Sequence, residues 1–241
     1  MATPDRRIYG RTQKLTENMN VLITGSTGMI GKGVLLECIE DPGIERIITL
    51  GRSKPDVDHE KVEHIVHKDM SDYSEIREKL NNLGAAYLCM WISAAGLKED
   101  KYREITYEYT LNLAKTLLEQ NPEMTCIYVS GQGTDSSEKG RAMWARIKGK
   151  TENDLLKLGF RQAFMFRPGA IIPLKGIKSR TASYQFIYDY FMWLVKLIKF
   201  FAPKSVVNTT QIGLAMLKIT RKGYSKSIIN PSDIIQLSEQ D

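Results

Sequence analysis

Val21-Leu22-Ile23-Thr24-Gly25-Ser26-Thr27-Gly28-Met29-Ile30-Gly31 is the stretch whose reading decides the fold. Its apolar, β-branched opening reads as a buried parallel strand, and the glycines that follow turn the chain into a helix. The spacing Gly25-x-x-Gly28-x-x-Gly31 fits a loop that cradles a dinucleotide pyrophosphate. Gly25 can make the tight turn, Gly28 lets backbone approach the phosphates, and Gly31 lets the helix pack closely on the sheet. Thr27 lies between the first two glycines. A helix beginning near Met29 and Ile30 then points its unpaired N–H groups and the positive end of its dipole at the anion.

Outward from this loop, strand and helix patterns alternate, which predicts an α/β fold with a doubly wound parallel sheet. The first helix runs to about Ile39 and stops at Asp41-Pro42-Gly43. A strand over Arg46–Leu50 leads into Gly51-Arg52-Ser53. A carboxylate at this position holds the ribose hydroxyls of NAD, whereas an arginine accommodates the 2′-phosphate of NADP. Arg52, backed by Ser53, therefore marks NADP rather than NAD; a solvated arginine after a strand is the plainer alternative. Further strands are expected over Val62–His67, Ala85–Ile92, Thr125–Val129 and Gln162–Phe166, with helices over Tyr73–Leu83 and Lys101–Glu119. Ala85–Ile92 is nearly continuous apolar sequence, as suits a strand covered on both faces.

Thr-Gly-x-x-Gly-x-x-Gly resembles the extended and atypical short-chain dehydrogenase/reductase superfamily, with its sugar-nucleotide epimerases and non-catalytic relatives. The resemblance runs over about residues 19 to 235. Leu50-Gly51-Arg52, Lys148-Gly149-Lys150-Thr151-Glu152 and Phe166-Arg167-Pro168-Gly169 look most like the atypical branch that contains the HIV Tat-interacting oxidoreductase homologue. The resemblance implies several further contacts. Asp69, followed by Met70, matches an acidic residue that bonds the adenine amino group; an N-cap or turn residue would look the same in sequence. Ser93-Ala94-Ala95 matches the turn beside the adenine ribose and phosphates. Pro168, Gly169 and Ile171 match the segment lining the nicotinamide, although a rigid strand exit uses the same residues.

In active members of the superfamily a Tyr-x-x-x-Lys pair carries the chemistry. The tyrosine is the general acid/base, and the lysine lowers its pKa and holds the nicotinamide ribose. One helical turn places both on one face. Lys148 matches the lysine, but Trp144 stands at the tyrosine position, and an indole N–H cannot act as an acid/base near neutral pH. Ser130 matches the partner serine unless the register slips by one, which would place Gly131 there. The predicted function is an NADP(H)-binding oxidoreductase or epimerase-like protein with a small or apolar substrate. The rival is a catalytically inactive NADPH sensor or regulator.

At 241 residues with 42% hydrophobic content, the chain can bury one sizeable core. The predicted organisation is an N-terminal arm over 1–18 and a single Rossmann domain over 19–241, with 174–241 forming a reduced, helical, substrate-side lobe. Cys38, Cys89 and Cys126 have neither metal nor redox spacing and read as free thiols in a reducing compartment, taken as the cytoplasm. The net charge of +6 comes from scattered Lys and Arg among 28 carboxylates, which fits an anionic cofactor rather than nucleic acid. His64 and His67 lie three apart and point to opposite strand faces, so no metal site is expected. An apolar helix is expected over 184–202, with Gln185, Asp189, Lys196 and Lys199 on one stripe. Its face could cover the substrate pocket, form a homodimer, or rest on a membrane surface, but its charges argue against spanning one. A helix over Thr209–Arg221, a short strand near Ser227–Ile229, and a turn at Asn230-Pro231-Ser232-Asp233 complete the reading.

Overall fold

The computed structural model describes residues 18–177 and 205–240. The predicted arm and the helix over 184–202, with the dimer and membrane readings attached to it, lie outside the described residues.

Seven parallel strands form the main sheet in the order β3-β2-β1-β4-β5-β6-β9. They are β1 (Met19–Thr24), β2 (Ile44–Gly51), β3 (Val62–Val66), β4 (Ala85–Leu88), β5 (Thr125–Val129), β6 (Gln162–Phe166) and β9 (Ile228–Ile229). A two-stranded parallel ladder, β7 (Ala170–Ile172) with β8 (Val206–Asn208), stands beside it. Chain order reverses at β1, which pairs with β2 on one side and β4 on the other: Thr24 is level with Leu50 of β2 and Leu88 of β4. In open parallel sheets, ligands bind outside the carboxyl ends of the strands at such a reversal.

Strands buried on both faces give two apolar layers. On one face Val21, Ile23, Val34, Leu35, Tyr87 and Phe166 join Ile212, Met216 and Ile234. On the other, Leu22, Ile48, Leu88 and Tyr128 join Leu113, Leu117 and Leu155. The three cysteines are free and buried in these layers. Burial pushes the Cys89 and Cys126 thiols up to about 12 and the Cys38 thiol well above its usual range, so they behave as small hydrophobes.

The helices are α1 (Met29–Glu40), α2 (Glu99–Arg103), α3 (Tyr109–Gln120), α4 (Met143–Lys157), α5 (Thr209–Lys222) and α6 (Pro231–Glu239). The C-terminal elements are helical, as expected, and they complete the main core: β9 extends the sheet and α5 crosses α1. That crossing is close because it uses glycines. A Cβ on Gly33 would meet the Thr209 Cβ at 2.7 Å, and one on Gly213 would meet Glu37 Cγ at 2.5 Å. Bidentate contacts from Arg221 Nη1 (2.8 Å) and Nη2 (2.5 Å) to Asp41 fasten the far ends of these two helices together.

Four local expectations need correction. Residues 74–80 form a 3₁₀ helix, not an α-helix, and only Ile76 and Leu80 are buried along it. Residues 104–108 form a π turn between α2 and α3, so the predicted helix at 101–119 is interrupted. β4 ends at Leu88 because Cys89 and Met90 bend beside the glycine loop, where a Cβ on Gly25 would lie 2.5 Å from the Cys89 carbonyl. Asn230–Asp233 is not a terminal turn but the start of α6: Asn230 and Asp233 form a capping box and Pro231 occupies the first turn. Among the described residues no helix is long and apolar enough to cross a membrane.

Candidate dinucleotide site at the carboxyl edge of the sheet

The glycine loop leaves β1 at the chain-order reversal, between the exits of β2 and β4. Gly25 has φ +66°, a conformation that favours glycine. Its carbonyl accepts the Gly28 N–H at 2.8 Å, closing the turn. A Cβ on Gly31 would come within 2.3 Å of that same carbonyl, so the third glycine is required by the packing of helix against loop. Gly28 differs from both. It is exposed, and its hypothetical Cβ would approach only the Gly25 oxygen, at 3.3 Å. Gly28 also caps α1, so the cap contributes no side chain, and the first turn carries no carboxylate. This bare backbone at a helix N-terminus is the cradle a pyrophosphate requires. Thr27, Met29 and Ile30 are half-buried around it. Gly28→Val is therefore expected to weaken dinucleotide binding at least tenfold while the domain stays folded. Calorimetric titration alongside a melting curve checks this, and full affinity in a folded variant would place the phosphates elsewhere.

Arg52 and Ser53 are exposed directly after β2, one strand over from the loop. Asp69 is also exposed, and its Oδ1 accepts from Ser71 N at 2.9 Å and Ser71 Oγ at 2.5 Å. These bonds hold the Asp69 carboxyl below its usual range and give it the turn role left open by the sequence. Met70 is buried against the core with Ile65 and Tyr73, so its side chain does not face the edge. Ser93 and Ala94 are half-buried and Ala95 is exposed beyond β4; Ala95 N–H donates to Ser93 Oγ at 3.2 Å. His64 and His67 each have local partners: Thr49 Oγ1 at 2.6 Å and the Val57 carbonyl for the first, the Asp72 carbonyl at 2.7 Å for the second.

At the exits of β5 and β6 lies a buried polar cluster. Lys148 (3% exposed) and Glu152 (0% exposed) are one turn apart on α4 and both face the sheet. Lys148 Nζ donates to the Ser130 carbonyl. Ser130 Oγ donates to Glu152 Oε1, with the Phe166 carbonyl at 3.2 Å. Arg167 Nε reaches both Glu152 oxygens, at 3.0 and 3.2 Å, and its Nη2 pairs with Oε2. Burial lowers the Lys148 amine to about 8, with the Glu152 carboxylate pulling the other way.

This arrangement corrects the reading of Ser130. Its hydroxyl is turned inward and engaged by Glu152. The next position is Gly131, at φ +138° with open space where a Cβ would point, so the exit of β5 presents no hydroxyl outward from either residue. Thr134 Oγ1 donates to the Gly131 carbonyl at 2.7 Å, and Asp135 organises its own loop through Ser137 and Gly140. Trp144, half-buried in the first turn of α4, lays its six-membered ring against Gly133, 3.2 Å from where a Cβ would be. Pro168 is buried and its carbonyl accepts the Gln132 N–H at 2.9 Å. Gly169 sits where three segments meet: a Cβ there would lie 2.4 Å from the Ser205 carbonyl and 2.6 Å from Gln132 Oε1. Ile171 packs on the core from β7. Sequence reasoning missed Glu152 and Arg167 as members of the site, although both lie inside the quoted motifs. Their sequence signal was a charge on the buried face of a helix, one turn from Lys148, and a charge at a strand exit.

Comparison with known proteins gives this edge a context. Residues 21–140 match the model of the NAD dependent epimerase/dehydratase family. "Protein FMP52, mitochondrial" of Candida albicans is 25% identical over 234 residues, 91% of this chain and 98% of the relative. The protein of the same name from Debaryomyces hansenii is 30% identical over 158 residues, 64% of this chain and 67% of the relative. Among solved structures, the L-sorbose reductase of Gluconobacter frateurii, complexed with NADPH and L-sorbose, superposes with a TM-score of 0.64 at 13% identity, covering 90% of this chain and 97% of that one. The Helicobacter pylori ADP-L-glycero-D-manno-heptose-6-epimerase gives 0.64 at 16% identity over 94% of this chain and 82% of that one. These similarities confirm an NAD(P)-binding Rossmann fold of the short-chain dehydrogenase and epimerase class. They overturn the cytoplasmic expectation, because the fungal relatives are named mitochondrial proteins, and cysteine spacing carries no address that chooses one compartment. By its family model, its relatives and its glycine loop, the chain belongs to the NAD dependent epimerase/dehydratase family.

Proposed function

We propose that the protein binds NADP(H) along the carboxyl edge of the sheet and acts as an oxidoreductase or epimerase-like enzyme on a small or apolar substrate. The observation that carries this reading is the bare backbone cradle at Gly28, in line with Arg52 at the exit of β2 and Lys148 at the exit of β5. A bound nicotinamide dinucleotide would supply the hydride. Gly25, Gly28 and the start of α1 would hold its pyrophosphate, Arg52 and Ser53 its 2′-phosphate, and Lys148 would donate to its ribose on the nicotinamide side. Pro168 and Gly169 would wall the ring, with the Pro168 carbonyl held by the Gln132 N–H and Gly169 leaving room for Ser205. Structural neighbours hold either NADPH or NAD+, so the choice of NADP rests on Arg52.

Arg52→Asp tests it. A charge-assisted bond to the 2′-phosphate contributes about 1.5–3 kcal/mol, so NADPH affinity should fall roughly 10- to 150-fold while NADH affinity changes little. Calorimetry with both cofactors checks this, and equal losses would remove Arg52 from the site.

One observation favours a second reading. With Trp144 at the tyrosine position and the Ser130 hydroxyl engaged by Glu152, the described residues at the β5 exit offer no conventional proton donor. A regulator that binds NADPH and does no chemistry needs the cradle and Lys148 but no acid/base.

A further inference from the structure

The cluster beneath Lys148 is more elaborate than a ribose-binding lysine requires. α4 presents Lys148 and Glu152 together, and β5 answers both with one residue: the Ser130 carbonyl accepts from the amine while the Ser130 hydroxyl donates to the carboxylate. β6 adds Arg167, whose side chain is 15% exposed against 0% for Glu152. Arg167 is also tied to Ser136 in the loop before α4, at 2.5 Å. Arg167 therefore pairs directly with the buried carboxylate, Lys148 feels its charge without an ion pair, and Ser130 is the mechanical link between that carboxylate and the lysine.

We propose that Glu152 is a positioning residue for Lys148: through Ser130 and Arg167 it fixes the carbonyl on which the amine rests, and it supplies the amine's counter-charge. This rests on the reading that Lys148 faces the cofactor. The other groups around the cluster are neutral or permanently charged. Tyr128 from β5 and Tyr102 from α2 have their phenols pushed up by burial, and Arg167 is a guanidinium. Glu152 is thus the carboxylate that opposes the burial of Lys148, whose amine lies near 8.

The sign of the effect follows. Burial favours the neutral amine and Glu152 favours the ammonium, so removing the carboxylate must lower the lysine's titration midpoint. The expected shift is on the order of one to three units, the range a nearby opposite charge commands. The ammonium is the stronger donor to a ribose hydroxyl and the better partner for an anionic dinucleotide. NADPH affinity of the parent should therefore fall as pH rises through about 8.

The test uses the full chain carrying lysine labelled with ¹³C at the ε carbon, with the Lys148 resonance identified by its loss in Lys148→Arg. In the parent the resonance should titrate near 8. In Glu152→Gln it should move down by about a unit or more, and in the charge-retaining Glu152→Asp it should stay near the parent value. An unchanged midpoint in folded Glu152→Gln overturns the proposal. If Glu152→Gln does not fold, Glu152→Met, which fills the same apolar site without a charge, takes its place: a lysine midpoint lowered by about a unit or more supports the proposal, and an unchanged one overturns it. A parent that binds no NADPH would end the cofactor reading, while the lysine midpoints would still decide the role of Glu152.

Discussion

Arg167→Met is expected to cost about 3 kcal/mol of folding stability, a large part of the roughly 5–15 kcal/mol that holds a typical domain together. Glu152 is fully buried, and Arg167 supplies three of its close contacts. Removing one partner of a buried ion pair leaves an uncompensated charge in low dielectric, which typically costs about 3–5 kcal/mol. The lower end applies because the Ser130 hydroxyl and the Lys148 charge remain nearby. Arg167 also ties the β6 exit to Ser136, so the loop leading to Trp144 should loosen with it. Urea denaturation of parent and variant measures the difference. A loss below about 1 kcal/mol, the size of an exposed pair, would mean that the cluster is open to water and that Glu152 needs no counter-charge.

How much of this site could be read from sequence depended on the distance over which each feature is encoded. The glycine loop is local: three residues, one strand and one helix start specify it, and the structure gives Gly25 and Gly31 the turn and packing roles expected of them. β5 and β6 were legible to the residue because buried parallel strands are short apolar runs with clear ends. The inward turn of Ser130 was not legible. Whether a hydroxyl at a strand end faces solvent or a carboxylate 22 residues later depends on α4 packing across β5 and β6, which no local pattern records. The Arg167–Glu152 pair is of the same kind. α6 is a different case, since Asn230-Pro231-Ser232-Asp233 is a capping box with proline at the first turn, and that start signal was read as a stop. The π turn at 104–108 leaves the apolar spacing of its helix nearly intact and so has no clear signature in periodicity.

Trp144→Tyr is expected to raise NADPH oxidation with small carbonyl compounds by about 10²-fold. A positioned general acid/base contributes roughly 10²- to 10⁴-fold, and the indole it replaces contributes none. Trp144 and Lys148 occupy one face of α4 a turn apart, so a phenol at 144 would lie above an amine already held on the Ser130 carbonyl. The nearby ammonium would favour the phenolate and bring the tyrosine closer to a useful range. The ring of Trp144 now lies against Gly133, and the smaller tyrosine relieves that contact rather than adding to it. The lower end of the range applies because the second hydroxyl of the usual arrangement is absent: Ser130 is bound to Glu152. Serine at position 131 would not replace it, since that residue has φ +138°, which side chains rarely adopt. NADPH consumption by parent and variant, over a panel of aldehydes and ketones, provides the measurement. A folded variant that binds NADPH and turns over none of them would count against a dormant reductase. The unmodified Trp144 would then belong to a protein that holds the dinucleotide for a partner to sense, and the buried Lys148 cluster would serve binding alone.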